Sequence, residues 1–146
     1  MGGPKLGLDD LHVGQTFTSA SHEVTIDEIK AYAAQFDPQP FHLDEEAAKG
    51  TFFQGLAASG WHTAAITMRL IVDSVPLTCG IIGGGGELLW SKPVRAGDRL
   101  TAESEILAIT PSRSRPGHAR VDVRILTKNQ HGEVVQSFSP KLVVTP

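Results

Sequence analysis

Only one cysteine, Cys79, occurs in the 146 residues, which excludes an intrachain disulfide and any cysteine cluster able to hold a metal. Cys79 reads as a small buried residue, because a thiol nucleophile needs a histidine close in space and a lowered pKa. Long apolar runs are also missing. No uninterrupted stretch approaches the roughly 20 residues of a membrane helix, and Met1 to Asp10 lack the charged segment and apolar run of a secretory leader. A cytoplasmic protein is the expectation. Charge of one sign is scarce: the net charge is −3 and the lysines and arginines are scattered, so no basic stripe offers itself to a phosphate backbone. Nucleic acid is therefore excluded as the expected partner, and so is a membrane. Internal repeats are absent, and the one low-complexity tract is Gly83-Gly84-Gly85-Gly86. A phosphate loop needs a helix after its glycines and commonly a Lys-Ser or Lys-Thr pair. Here Glu87-Leu88-Leu89-Trp90 follows and reads as strand, so the tract predicts a bend or bulge, or a place where a ligand passes close to the backbone.

What is present describes a globule. The apolar fraction is 40 % and the charged fraction 20 %, and the length fits one domain spanning residues 1–146. Gln15 to Val24 reads as extended. Thr25-Ile26-Asp27-Glu28 has the form of a capping box, with Val24 and Ile29 placed as a hydrophobic staple, so a helix begins there. Ile26, Ile29, Ala33 and Phe36 share its inner face. The helix ends near Asp37-Pro38, and Pro38 and Pro40 stiffen the following segment and bias it towards extended geometry. Asp44 to Lys49 can form one helical turn. From Ser59 to Val75 apolar residues cover most of a helix circumference, which predicts a buried helix, with Ser59 as N-cap and Pro76 as stop.

After Pro76 the pattern changes to Val, Ile, Leu and Thr segments separated by Gly, Pro, Asn or Asp. Strands are expected at Cys79–Pro93, Arg99–Ile109, His118–Lys128 and Glu133–Val144, with turns at Ala96-Gly97-Asp98, Ser112–Gly117 and Asn129–Gly132. Short turns between successive strands make an antiparallel sheet. One long apolar helix followed by such a meander is solved by curling the sheet around the helix, an α+β hot-dog arrangement.

Chemistry concentrates in Asp37-Pro38-Gln39-Pro40-Phe41-His42-Leu43-Asp44, where a carboxylate and an imidazole on a stiffened segment can hold one water between them. An imidazole titrating near neutrality accepts or donates a proton, and the carboxylate orients it or takes the opposite role. Which of the two is acid and which is base stays open, because coupled groups share their titration. A metal set of His42, Asp44 and His62 has no standard spacing on one element.

This segment resembles the hydratase-2 motif of the MaoC-like family, Asp-x-Asn-Pro-x-His-x-Asp, with Gln39 standing where that family usually has Asn. The resemblance implies that Asp37 and His42 bind the catalytic water. Phe53-x-Gly55-Leu56-Ala57-Ala58-Ser59-Gly60 is similar to the family's segment at the start of the central helix. By that resemblance the Gly60 N–H faces the thioester oxygen, and amides at a helix start carry the partial positive charge this requires. Ser59 takes the place of the commoner His, and Met68 that of a serine found in some members. A third similarity covers Glu87 to Asp98, where a strand runs into Lys92-Pro93-Val94-Arg95-Ala96-Gly97-Asp98. The implied activity is hydration or dehydration of an enoyl thioester, with coenzyme A as part of the substrate and no other cofactor or metal.

The candidate substrate-binding residues are Gln39, Ser59, His62, Arg113 and Arg115. His62 stands two positions past Gly60 and either lines the pocket or bonds a neighbour at the helix start. Arg113 and Arg115 either grip the phosphates of coenzyme A, which guanidinium matches well, or belong to a solvated hairpin. Two other functions compete on the same fold, a hot-dog thioesterase and a non-catalytic acyl-CoA-binding subunit. A thioesterase usually places a carboxylate in or beside the central helix, where this chain has only Asp73, near the far end. The edge strand left by one such sheet predicts at least a homodimer.

Overall fold

Thr25 starts the first helix through reciprocal bonds: its hydroxyl accepts the Glu28 N–H at 3.2 Å while the Glu28 carboxylate accepts the Thr25 N–H at 2.8 Å. That capping box sets α1 at Ile26–Phe36 in the computed structural model, which describes residues 4–146. Residues 1–3, part of the stretch read for a leader, lie outside the described residues. Ile29 and Ala33 are fully buried, whereas Ile26 and Phe36 are exposed, so the inner face is narrower than the spacing predicts. Ahead of α1 the expected single extended segment is two short strands, β1 at Thr16–Thr18 and β2 at His22–Glu23.

Beyond Asp37 the structure departs from an extended loop. Pro40 occupies the first position of a short helix, α2 at Pro40–Leu43, where a residue without an N–H costs nothing and its fixed φ already suits the helix. Asp44 then caps α3, Glu45–Ala48, by accepting the Glu46 and Ala47 N–H groups.

Helix α4 spans Gly60–Ser74 with Ser59 as its N-cap. His62, Thr63, Ile66, Thr67, Leu70 and Ile71 are buried, but Trp61, Ala65, Met68 and Val72 form an exposed stripe at helical spacing. The expectation of burial on nearly all sides is corrected: one apolar face is open in the single chain. Among the described residues no helix is long and apolar enough to cross a membrane.

Strands β3 at Gly83–Trp90, β4 at Arg99–Pro111, β5 at Ala119–Lys128 and β6 at Val134–Val144 complete an antiparallel sheet of order β1-β4-β5-β6-β3, with β2 also on β4. Alternate residues of β5 are buried, as a sheet with one covered face requires. Those inward residues, Val121, Val123 and Ile125, share one core with Ile66, Leu70 and Ile71 of α4. The sheet thus wraps the helix, which is the hot-dog fold. The four glycines lie inside β3 as a register shift, and a Cβ on Gly86 would meet Pro140 Cα and the Ser139 carbonyl oxygen at 2.7 Å. Cys79 is half-buried against this core rather than buried, its thiol 3.2 Å from the Gly80 carbonyl.

Polar side chains also cross the interior. Trp90, Gln136 and Thr127 are neighbours across β3, β6 and β5. Gln136, with no exposed surface, accepts the Trp90 indole N–H at 2.9 Å and donates to the Thr67 hydroxyl at 3.1 Å. Thr67 Oγ1 lies 2.7 Å from Thr127 Oγ1 and bonds the Thr63 carbonyl at 2.9 Å. A satisfied network of this kind fixes one arrangement of its members, and a broken one leaves buried groups unpaired. Thr67→Val keeps the shape but removes the hydroxyl at the centre, and should lower the unfolding free energy by about 1–3 kcal/mol. Thr67→Ser should retain most of it, a contrast measurable by urea denaturation.

Candidate active site

Asp37 is the C-cap of α1 and turns the chain out of the helix, its own N–H still bonded to the Ala33 carbonyl at 2.8 Å. The helical turn that Pro40 begins then carries His42 back towards it. His42 is buried, at 4 % exposure, and its Nδ1 is 2.7 Å from the Ala57 carbonyl oxygen. A carbonyl only accepts, so Nδ1 donates and Nε2 is the ring nitrogen that faces Asp37 Oδ2, at 3.4 Å.

Two donors hold the carboxylate. The Ser59 hydroxyl donates to Oδ2 at 2.7 Å, and the Gln39 side-chain amide donates to Oδ1. The extra methylene of Gln39 therefore does not prevent an amide from orienting Asp37. Burial pushes the Asp37 pKa up, but the bonds from Ser59 and Gln39 and the proximity of His42 outweigh it, leaving the pKa below the usual carboxylate value. Ser59 is fully buried and serves twice, since its oxygen also accepts the Trp61 N–H at 3.2 Å as the cap of α4.

The adjoining backbone is fixed from several sides. The Ala57 N–H bonds the Phe41 carbonyl at 3.0 Å and the Ala58 N–H bonds the Val94 carbonyl at 2.8 Å. Arg95 donates to the carbonyls of Phe53, Gly55 and Leu56 at 2.7, 3.0 and 3.1 Å. It holds a loop in which Gln54 adopts a positive φ of 55°, a conformation that persists only when its surroundings enforce it. Arg95 was not singled out in the sequence, although the Lys92-to-Asp98 turn contains it. Its clamp on a loop some 40 positions earlier is a tertiary contact.

Gly60 is the first residue of α4, and its N–H has no acceptor among the described residues. A Cβ at this position would meet Trp90 Cε2 at 2.6 Å, so only glycine lets the indole lie across the start of the helix. A cavity of about 380 Å³ opens here, lined among others by His42, Phe53, Ala58, Gly60, Thr63 and Trp90. Asp37 adjoins it through its approach to His42 Nε2. His42 and the unpaired Gly60 N–H thus share one cavity wall with the Asp37 carboxylate next to His42, a combination suited to moving a proton while stabilising charge on an oxygen.

The remaining residues chosen from the sequence lie elsewhere. His62 faces away from this cavity: it is buried, stacks on Tyr32 with ring centroids 4.8 Å apart, and stands 3.9 Å from Glu28. Burial lowers its pKa, Glu28 raises it and His22 lowers it further, with a net shift below the usual value. Of the two readings of His62, the structure places it packed between α1 and α4 rather than on the wall of this cavity. Among the described residues no cluster including it could hold a metal. Arg113 and Arg115 are likewise not brought to the site within one chain. They sit on the hairpin between β4 and β5, roughly 25 Å along β5 from Thr127 and the level of Trp90, at about 3.3 Å per residue. Arg115 lines a separate cleft with Gly84, His118, Arg120 and Lys141.

Because Ser59 helps keep the Asp37 pKa low, Ser59→Ala should raise it. The depressed folded-state pKa favours the ionised form above the ordinary carboxylate value and loses that advantage as pH falls through it. The acidic limb of any Asp37-dependent pH–rate profile should consequently move to higher pH in Ser59→Ala, which NMR titration of the Asp37 carboxyl would check independently of activity.

The chain matches the model of the MaoC like domain over residues 10–129. It is 37 % identical to the Bacillus subtilis protein YdeM over 139 residues, covering 94 % of this chain and 96 % of that protein. Its fold superposes on a MaoC-like dehydratase from Rhodospirillum rubrum with a TM-score of 0.94 at 60 % identity, over 96 % of this chain and 97 % of that one. An (R)-hydratase from A. caviae involved in PHA biosynthesis is also similar, with a TM-score of 0.72 at 31 % identity over 93 % of this chain and 98 % of that one. The sheet wrapped round α4 is the fold shared with these structures, and the chain belongs to the MaoC-like family.

Proposed function

We propose that the protein adds water across the 2,3 double bond of an enoyl-coenzyme A thioester, or removes it in the reverse direction. The observation that carries this reading is the 3.4 Å approach of His42 Nε2 to Asp37 Oδ2 beside the Gly60 N–H. One water can contact both atoms at hydrogen-bond distance. As its oxygen bonds to C3 of the substrate, the water gives a proton to the Asp37–His42 pair. Negative charge gathers on the thioester oxygen, which the Gly60 N–H stabilises. The pair then returns a proton to C2, so water has been added and the residues are restored. Coenzyme A enters as part of the substrate, and no other cofactor is needed. Asp73 gives little support to a thioesterase reading, being exposed at the far end of α4 and bonded to Arg69 at 3.1 Å. A non-catalytic acyl-CoA-binding subunit would retain affinity without turnover.

The working unit is proposed to be a homodimer. Among the described residues strand β3 has only β6 beside it, and the open stripe of α4 lies near that edge, since Trp61 meets Trp90. A second copy paired antiparallel on β3 would cover both. It would also carry the Arg113 and Arg115 hairpin, which flanks the Gly83 end of β3, towards the partner's Trp90 end. There a guanidinium could meet the phosphates of coenzyme A.

Asp37→Ala and His42→Ala should each abolish hydration of a crotonyl thioester in a folded protein, and near wild-type rates in both would reject the reading. Light scattering at micromolar concentration should give about twice the chain mass of 15.6 kDa. A fully active monomer would reject the dimer.

A further inference from the structure

Beside the site cavity lies a second one of about 400 Å³, walled by Trp61, Ala64, Met68, Ile71, Leu88 and Phe138 among others. It is almost wholly apolar, whereas the site cavity carries Ser91 and Lys92 on its wall. The two share no lining residue. Between them stand Trp90, which lines the first, and Trp61, which lines the second, their rings meeting edge to face at 5.0 Å and 83°.

The barrier is anchored rather than loosely packed. Trp90 is the register partner of Gln136 on β6, and the Gln136 side-chain oxygen holds the indole N–H at 2.9 Å. Gln136 is itself fixed to Thr67 of α4. The ring-fusion carbons of the indole lie against Gly60, where no side chain could fit. An indole so seated and bonded cannot change rotamer without leaving the buried Gln136 oxygen unpaired.

We propose that Trp90, latched by Gln136, sets the acyl chain length the site accepts by closing it off from the apolar cavity along α4. The proposal rests on the thioester reading above. With the thioester oxygen at the Gly60 N–H and the reacting carbons at Asp37 and His42, the acyl tail meets the indole that covers Gly60. Short chains end before it. Longer chains would need the space beyond, which is lined mainly by apolar side chains and lies on the far side of the indole from the site.

The test is a chain-length series, crotonyl- to dodecenoyl-CoA for kcat/KM and butyryl- to dodecanoyl-CoA for affinity by calorimetry, on wild type, Trp90→Ala, Trp90→Phe and Gln136→Leu. A methylene that a pocket newly admits changes discrimination by roughly 10–200-fold. Wild type should favour the short members, and Trp90→Ala should raise the decenoyl-to-crotonyl ratio at least about 10-fold. Trp90→Phe and Gln136→Leu, which release the latch but leave bulk in place, should shift the ratio in the same direction by less. If Trp90→Ala does not fold, those two decide the matter. Wild type that handles decenoyl as well as crotonyl thioesters overturns the proposal, as do variants that depress every chain length by one factor. If no enoyl thioester turns over, the hydratase reading fails, while a changed ratio of decanoyl to butyryl affinity still upholds the Trp90 barrier. Absence of binding at every length overturns both.

Discussion

The bond from His42 Nδ1 to the Ala57 carbonyl ties two segments that the chain keeps far apart, and the chemistry at the site depends on it. It fixes the ring so that Nε2 is the nitrogen facing Asp37. It also fixes His42 against the backbone that becomes α4 three residues later. Ser59, two residues on from Ala57, completes the tie by donating to Asp37 while capping the same helix. The carboxylate, the imidazole and the helix-start N–H are therefore tied together, the ring by a main-chain carbonyl and the carboxylate by the side chains of Ser59 and Gln39. Arg95 supports that unit from outside by gripping the loop that precedes it. Misplacement by an ångström of a positioned group is enough to cost a large part of a rate, which gives such bracing a purpose.

Much of this was legible in the sequence because its signals are local. The Thr25–Glu28 capping box, the Ser59 cap, the glycine turns and the strands β4, β5 and β6 each depend on residues a few positions apart and lie close to where the pattern places them, whereas β3 is shorter than expected, Gly83–Trp90 instead of Cys79–Pro93. Pro40 was misread for a physical reason: proline disfavours helix for the residue before it but favours it at the first helical position, and only the fold shows which effect wins. The apolar circumference of α4 was taken for full burial. In one chain its Trp61, Ala65, Met68 and Val72 stripe stays open, since periodicity reports that a face avoids water without saying whose surface covers it.

What the sequence hid is long-range. His62 looked like a pocket residue because it follows Gly60 closely, yet the helical rotation of two positions turns it towards Tyr32 and Glu28. Arg113 and Arg115 matched phosphate chemistry but sit a full strand length from the site. Conversely Gln136 carries no motif, and the similarity over Glu87 to Asp98 contains Trp90 and Arg95 without giving either a role. Their roles come from contacts across β3, β6 and the loop before α4, which only the register of the sheet creates.

The most direct measurement of the account is product analysis after incubating the protein with a 2-enoyl-CoA in deuterium oxide. The account predicts a 3-hydroxyacyl-CoA with deuterium at C2, an intact thioester, and no such product from Asp37→Ala. Release of free coenzyme A thiol with the double bond unchanged would contradict it.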